Sequence, residues 1–262
     1  MATYSALNAP STNMLDMFPG SNPRPFTVTT TAPGIFQITY SDTGDLLTFS
    51  SNTLDLTYNG NKPTGGTFVT IVLEVGGVIA AKIDCPARQI TKFNSPDLMA
   101  KIFAGSDTLS GNDGNNTMRG FNGNDFFNGR DGDDTLIGGN GRDFLEGGLG
   151  QDLLTGGKGA DNFYFDDVLD AQAAVSLDFI RDFHHDQHDK IDVSNIDAIA
   201  GGINNDDFTF ISKQQFHGVA GELRYQKSAA NVLVQGDTDG DGAPDFGILV
   251  HASKLVNGDF YL

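Results

Sequence analysis

The chain has 262 residues, of which 34 are acidic and 16 basic, for a net charge of −18. Such a surface disfavours nucleic acid and anionic membranes as partners and favours cations. A single cysteine, Cys85, excludes an intramolecular disulfide and reads as a small buried apolar residue. No apolar stretch approaches the roughly 18 residues that would suggest a membrane span. No positively charged run followed by an apolar one opens the sequence, so no N-terminal export signal is expected.

Residues 1–25 are polar and carry Pro10, Pro19, Pro23 and Pro25, which predicts an irregular arm. Residues 26–93 alternate in the β manner. The runs FTVTTT (26–31), IFQITY (35–40), LLTFS (46–50), TLDLTY (53–58), TFVTIVLEV (67–75) and VIAAKI (78–83) are separated by turn residues, with Gly76-Gly77 as a two-residue hairpin connection. Short strands at this spacing predict a small antiparallel, sandwich-like domain. Ser95-Pro96-Asp97 has the chemistry of a helix start and predicts a short capping helix over 94–101, placed where a solenoid needs its open end covered.

From Ile102 to Tyr164 run seven consecutive nine-residue units. The last three, GGNGRDFLE, GGLGQDLLT and GGKGADNFY, fit G-G-x-G-x-D-x-U-x with U large and apolar, the signature of a calcium-binding parallel β-helix. The sixth position reads Asp107, Asn116, Asp125, Asp134, Asp143, Asp152 and Asp161. The eighth reads Leu109, Met118, Phe127, Leu136, Leu145, Leu154 and Phe163. Two columns held in phase over seven units exclude a random Gly/Asp-rich linker. Each unit is too short to bury anything alone. Its x-U-x part suits a short strand with one inward side chain, and its glycines suit a tight turn. Stacking such units aligns a column of carboxylates that repel one another unless a cation intervenes. A hard divalent ion that accepts six or more oxygens is the natural partner, and its binding energy then becomes folding energy. Magnesium keeps its waters and demands rigid octahedral geometry, and zinc lacks Cys or His ligands in the repeats.

The tail, 165–262, holds further β runs: FTFIS (208–212), GELRYQ (221–226), NVLVQG (231–236) and FGILVH (246–251). It also carries DFIRDF (178–183), DKIDVSNID (189–197), AGELRY (220–225), GDTDGDGAPDF (236–246) and DFYL (259–262). By the order and spacing of these motifs, residues 102–262 resemble the C-terminal region of serralysin-type secreted metalloproteases, an RTX β-roll followed by a β-rich segment with a type I secretion signal. The resemblance implies calcium between turns of the roll. Its ligands would be Asp107, Asp125, Asp134, Asp143, Asp152 and Asp161, with Asn116 as a neutral substitute. Carbonyls of the second and fourth positions would join them: Gly105, Gly114, Gly123, Gly132, Gly139, Gly141, Gly148, Gly150, Gly157 and Gly159. Phe121 and Arg130 occupy the second position of units three and four, though a carbonyl ligand survives a side-chain change; with Asn116 in the second unit, the earliest sites are expected to be weaker. Asp170 and Asp178 match late ligands beyond the roll. The resemblance also implies export by the type I secretion machinery and an extracellular location. It stops short of the protease, because no H-E-x-x-H occurs and the first 101 residues contain no His.

Two smaller constellations stand apart. Asp237, Asp239, Asp241, Gly242 and Asp245 match positions 1, 3, 5, 6 and 9 of a calcium loop, but position 12 is Ile248. The alternative is a polar hairpin turn. His184, His185 and His188 cluster with Asp182, Asp186 and Asp189, as a solvated loop or a transition-metal site. No G-x-S-x-G elbow or phosphate-cradling G-x-x-x-x-G-K-[ST] occurs.

The sequence therefore predicts an all-β protein: an N-terminal antiparallel β domain, a parallel β-roll over 102–164, and a β-rich cap over 165–262. Its expected function is non-catalytic calcium binding outside the cell, with no nucleic acid or membrane insertion. A calcium-dependent adhesin or polysaccharide binder, using the N-terminal domain against an extracellular glycan or protein, is the second reading. An enzyme with its site in that domain is the third.

Overall fold

The computed structural model describes the backbone of seven strands between residues 3 and 90 and, with side chains, residues 105–111, 113–169, 177–201 and 205–262. The helix expected over 94–101 lies outside these residues, as does Asp170.

Two sheets build the roll. Units one, three, five and seven contribute β8 (Thr108–Ser110), β10 (Phe126–Asp131), β12 (Phe144–Leu149) and β14 (Asn162–Tyr164) to one sheet. Units two, four and six contribute β9 (Thr117–Asn122), β11 (Thr135–Asn140) and β13 (Leu153–Lys158) to the other. All pairings within the roll are parallel and join residues 18 apart, such as Leu145 to Phe127 and Leu154 to Leu136. β9 to β13 run longer than x-U-x: they continue through the first three positions of the next unit. Glycine at the first position has no side chain to obstruct the sheet, so the bend is confined to the G-x-D that follows.

The eighth-position side chains form the interior. Leu109, Phe127, Leu145 and Phe163 face Met118, Leu136 and Leu154, all at 0% exposure. On the outside, Phe126 stacks on Phe144 with ring centroids 5.0 Å apart, and Phe144 meets Tyr164 at 4.9 Å.

The stack outlasts the repeat. β15 (Asp178–Ile180) and β20 (Phe246–Val250) extend the second sheet in parallel, placing Ile180 and Val250 in the row of Leu154. β16 (Lys190–Asp192) and β21 (Phe260–Tyr261) extend the first, placing Ile191 and Phe260 in the row of Phe163. β18 (Glu222–Ser228) and β19 (Asn231–Asp237) then continue the second sheet antiparallel from β20, with β17 (Thr209–Ser212) beyond β18. Phe208, Leu223, Val234, Phe246 and Ile248 bury the far end.

At the near end, β2 (Phe26–Ala32), β3 (Ile35–Tyr40), β4 (Leu46–Ser50), β6 (Lys62–Val75) and β7 (Val78–Ile90) follow one another as an antiparallel meander. Short β5 (Thr57–Asn59) pairs with β6. Val75 stands opposite Val78, as a two-residue connection requires. The facing pair of sheets expected of a sandwich is not found among the described residues. Instead β2, β3, β4, β6 and β7 pair in that order along one sheet. Within the arm expected over 1–25, Thr3–Ala6 forms strand β1. It pairs antiparallel with β7 and parallel with β8, so this sheet runs on into the roll.

Truncating one member of the inner column leaves a cavity that its neighbours in a fixed ladder cannot close. Leu145→Ala is expected to destabilise the calcium-loaded protein by about 2–5 kcal/mol, whereas Leu149→Ala, on the outer surface, stays within about 0.5 kcal/mol. Urea denaturation of the two variants in calcium checks this.

Candidate metal centre

Every sixth-position side chain points into the bend of its turn and is buried. Asp107, Asn116 and Asp125 are 2% exposed, and Asp134, Asp143, Asp152 and Asp161 are 1% exposed. From the third unit on, one carboxyl oxygen of each accepts the backbone N–H of the sixth-position residue two units earlier. Asp125 thus receives Asp107, Asp134 receives Asn116, Asp143 receives Asp125, Asp152 receives Asp134 and Asp161 receives Asp143, at 2.6–2.9 Å. The second carboxyl oxygens of Asp125, Asp134, Asp143 and Asp161 are buried and accept no hydrogen bond.

These oxygens point back over the first-position glycine of their own unit. A methyl group at Gly138 would lie 2.3 Å from Oδ2 of Asp143 and 2.6 Å from the Gly156 carbonyl. Glycine there makes the space in which carboxylate and carbonyl oxygens converge. The fourth position is equally constrained. Gly141 has φ 130°, and a side chain on it would sit 1.7 Å from the Gly123 carbonyl, which points along the stack toward it. The second position repeats this turn geometry even without glycine: Phe121 has φ 71° and Arg130 φ 76°. The carbonyl row survives there, at the cost of left-handed backbone strain in a residue with a Cβ.

The electrostatics follow from burial. Desolvation, partly offset by the accepted N–H bonds, pushes Asp134 up to about 8, Asp125 and Asp161 up to about 7, and Asp143 up to about 6. Neighbouring carboxylates add to the rise at Asp125, Asp134 and Asp161. The donors gathered here are all oxygens, which suits a hard cation and gives nothing to a soft one.

The carboxylate ladder passes beyond the nonapeptides. Asp178, at 0% exposure, accepts the Asp152 N–H at 2.7 Å, in the place the resemblance gave it. Asp189, at 1% exposure, accepts the Asp161 N–H at 3.0 Å, and burial raises its pKa. Asp182 accepts the N–H groups of Gly156 and Gly157, and Gln187 that of Gly159. Sequence reasoning missed Asp189 because the nine-residue frame ends at Tyr164. The signal was present: Asp178-Phe179-Ile180 and Asp189-Lys190-Ile191 both keep the D-x-U order of a repeat.

The two smaller constellations resolve differently. Carboxyl oxygens of Asp237, Asp239 and Asp245 come within 4.8 Å of one another, and Asp241 stays outside that group. Asp237 accepts the N–H groups of Gly240 and Gly242, and Asp245 those of Thr238, so the loop is braced by its own backbone. The histidine cluster disperses. His185 turns to Asp259, while the Asp189 carboxyl is taken by the Asp161 and His184 N–H groups.

A two-sheeted parallel roll with a buried carboxylate at every bend but that of Asn116 defines an RTX-type calcium-binding protein. Residues 103–136 match the RTX calcium-binding nonapeptide repeat, and residues 124–262 match the peptidase M10 serralysin C-terminal family; the chain belongs to that family. Calcium is the ion its repeats bind. Neither match is to a catalytic domain. No curated protein matches the chain. Among solved structures, the AlgE6R3 and AlgE6R2 subunits of the Azotobacter vinelandii mannuronan C5-epimerase are similar at 23% and 27% identity. Each alignment covers 60% of this chain and 78% or 88% of the other, with TM-scores of 0.30 and 0.31. No helix among the described residues is long and apolar enough to cross a membrane.

Two outcomes follow from this geometry. Without a cation, the folded roll holds protons that an unfolded chain, with aspartates near the ordinary 3.8, releases. The corresponding stability is present below about pH 4 and is lost as pH rises through about 6 to 8. Calcium must displace those protons, so the calcium concentration at half-folding should fall as pH rises from 6 to 8. Titration at several pH values, with proton release followed in weak buffer, would reveal a pH-independent midpoint if the carboxyls were already ionised. Separately, Arg130→Gly removes left-handed strain and should stabilise the calcium-loaded protein by about 1 kcal/mol, read as a rise in Tm.

Proposed function

We propose that the roll is a calcium-driven folding device used outside the cell after type I secretion. In this reading the sixth-position side chains hold the ions, together with second- and fourth-position carbonyls and with Asp178 and Asp189 at the exit. Asn116 supplies a neutral oxygen and makes its site weaker. The observation that carries the reading is the row of buried carboxyl oxygens on Asp125, Asp134, Asp143 and Asp161 that accept no hydrogen bond. Carboxylates one strand spacing apart, about 4.8 Å, repel by about 3 kcal/mol at an effective dielectric near 20. A divalent ion between them turns that repulsion into attraction.

Where calcium is scarce the acidic segment stays open, a state suited to threading through an export channel. At the millimolar calcium typical of extracellular modules, binding and folding coincide. The serralysin-type C-terminal region supports the export route. The family and repeat matches support binding and scaffolding in preference to catalysis.

Far-UV circular dichroism during calcium titration of the full chain tests this. The expected result is a cooperative gain of β signal near millimolar calcium, absent with magnesium, with Asp143→Asn raising the midpoint by about tenfold or more. Full β signal in excess chelator at neutral pH would refute it.

A further inference from the structure

The third and fourth positions of the repeat carry a chemically labile pair. Units three and five read Asn122-Gly123 and Asn140-Gly141 there. An asparagine followed by glycine is the dipeptide most prone to lose its side-chain amide, because no Cβ hinders the glycine nitrogen. That backbone nitrogen attacks the side-chain carbonyl carbon. The new C–N bond closes a five-membered succinimide, and the amide nitrogen leaves as ammonia, taking the proton of the attacking N–H. Water then opens the ring at either carbonyl, giving aspartate or isoaspartate. The step needs a glycine nitrogen free to turn toward the side chain, which an open chain supplies.

The folded roll withholds that freedom. The Gly123 N–H donates to the Asn140 carbonyl at 2.8 Å, and the Gly141 N–H to the Lys158 carbonyl at 2.7 Å. Asn140 donates through Nδ2 to Oδ1 of Asn122 at 2.6 Å, so the two side-chain amides engage each other along the stack. Both asparagines are exposed, so bonding and not burial restrains them. Each of these bonds joins a unit to the unit two further on, and exists only while the turns are stacked. The product would not fit the stack. Isoaspartate routes the main chain through the side-chain carbon and adds an atom between the third and fourth positions. A side chain on Gly141 would already sit 1.7 Å from the Gly123 carbonyl, and one on Gly123 2.3 Å from that of Gly105. An added atom there displaces the fourth-position carbonyls proposed above to hold calcium.

The geometry points to Asn122 and Asn140 as deamidation sites that calcium shields, so that a chain left without calcium loses its capacity to fold. The inference rests on the calcium-driven folding proposed above and adds to it a chemical limit on how long the open chain stays competent. Asn128-Gly129, within β10, is a third such pair in the roll.

Ageing the full chain at mildly alkaline pH, in chelator and in millimolar calcium, tests both levels. Peptide mapping by mass spectrometry with electron-transfer fragmentation follows aspartate and isoaspartate at 122, 128 and 140. Circular dichroism after calcium addition reads the fraction that still folds. Conversion at 122 and 140 should be at least about tenfold slower in calcium. When the chelator-aged chain is returned to calcium and separated by size, isoaspartate should be concentrated in the molecules that fail to compact. Other units carry Asp131, Leu149 and Lys158 at the third position, so glutamine is expected to be accepted there. With Asn128→Gln removing the third pair, Asn122→Gln and Asn140→Gln together should keep more folding capacity through ageing than Asn128→Gln alone. Equal conversion in calcium and chelator, or none in either, while the β signal depends on calcium, overturns this inference and leaves the calcium-driven fold standing. Isoaspartate shared equally between folding and non-folding molecules overturns its effect on folding. Full β signal in chelator refutes the folding proposal itself.

Discussion

One buried carboxylate per nine residues is the constraint on which the architecture depends. Strands in a sheet sit about 4.8 Å apart, so a stack of such turns must place like charges within reach of one another. The chain meets this in three coordinated ways. From Asp125 on, one oxygen of each carboxylate is neutralised in part by a backbone N–H from two units before. The first-position glycine clears the volume the other oxygen occupies. The carbonyl of the first-position glycine two units on faces the same space, as Gly147 does at Gly129 and Gly156 at Gly138.

A solenoid of this kind has two open ends; among the described residues, chain that does not carry the repeat continues both sheets at the far end and the first sheet at the near end. At the far end the row of apolar side chains continues through Ile180 and Ile191 to Val250 and Phe260, although the sequence separations grow from 18 to 26 and 28 and then far beyond. The hydrogen bonds keep the repeat's logic after the repeat has gone: Asp178 and Asp189 accept from Asp152 and Asp161 as any nonapeptide Asp would. At the near end, Thr3–Ala6 returns from the start of the chain to lie parallel to the first rung. Such closure protects sheet edges that would otherwise template association.

The roll could be read from the sequence because its two columns are strictly periodic, and period translates directly into register. The inward row from Leu109 to Phe163 and the bends at Asp107 to Asp161 stand where the frame put them. What the frame could not show was anything that depends on long-range pairing. The single antiparallel sheet of the N-terminal strands, in place of a sandwich, is a matter of which strand neighbours which, and alternation alone is silent on that. Asp189 was overlooked for the same reason: its partner, Asp161, lies 28 residues away at no regular interval. The extension of each strand through the first-position glycine also escaped notice, because glycine is read from sequence as a turn residue and here serves as an opening in a strand.

The fixed separation of 18 residues between paired strands has a mechanical consequence. Each turn touches only the turns beside it, so the roll is quasi-one-dimensional and its contacts can be undone in order from an end. Drawn out by force, such a stack yields turn by turn, each release freeing 18 residues, or about 60 Å of extended chain. Its resistance is set at every step by one pair of rungs. If the roll folds only with calcium, as proposed, the steps seen in calcium vanish in chelator.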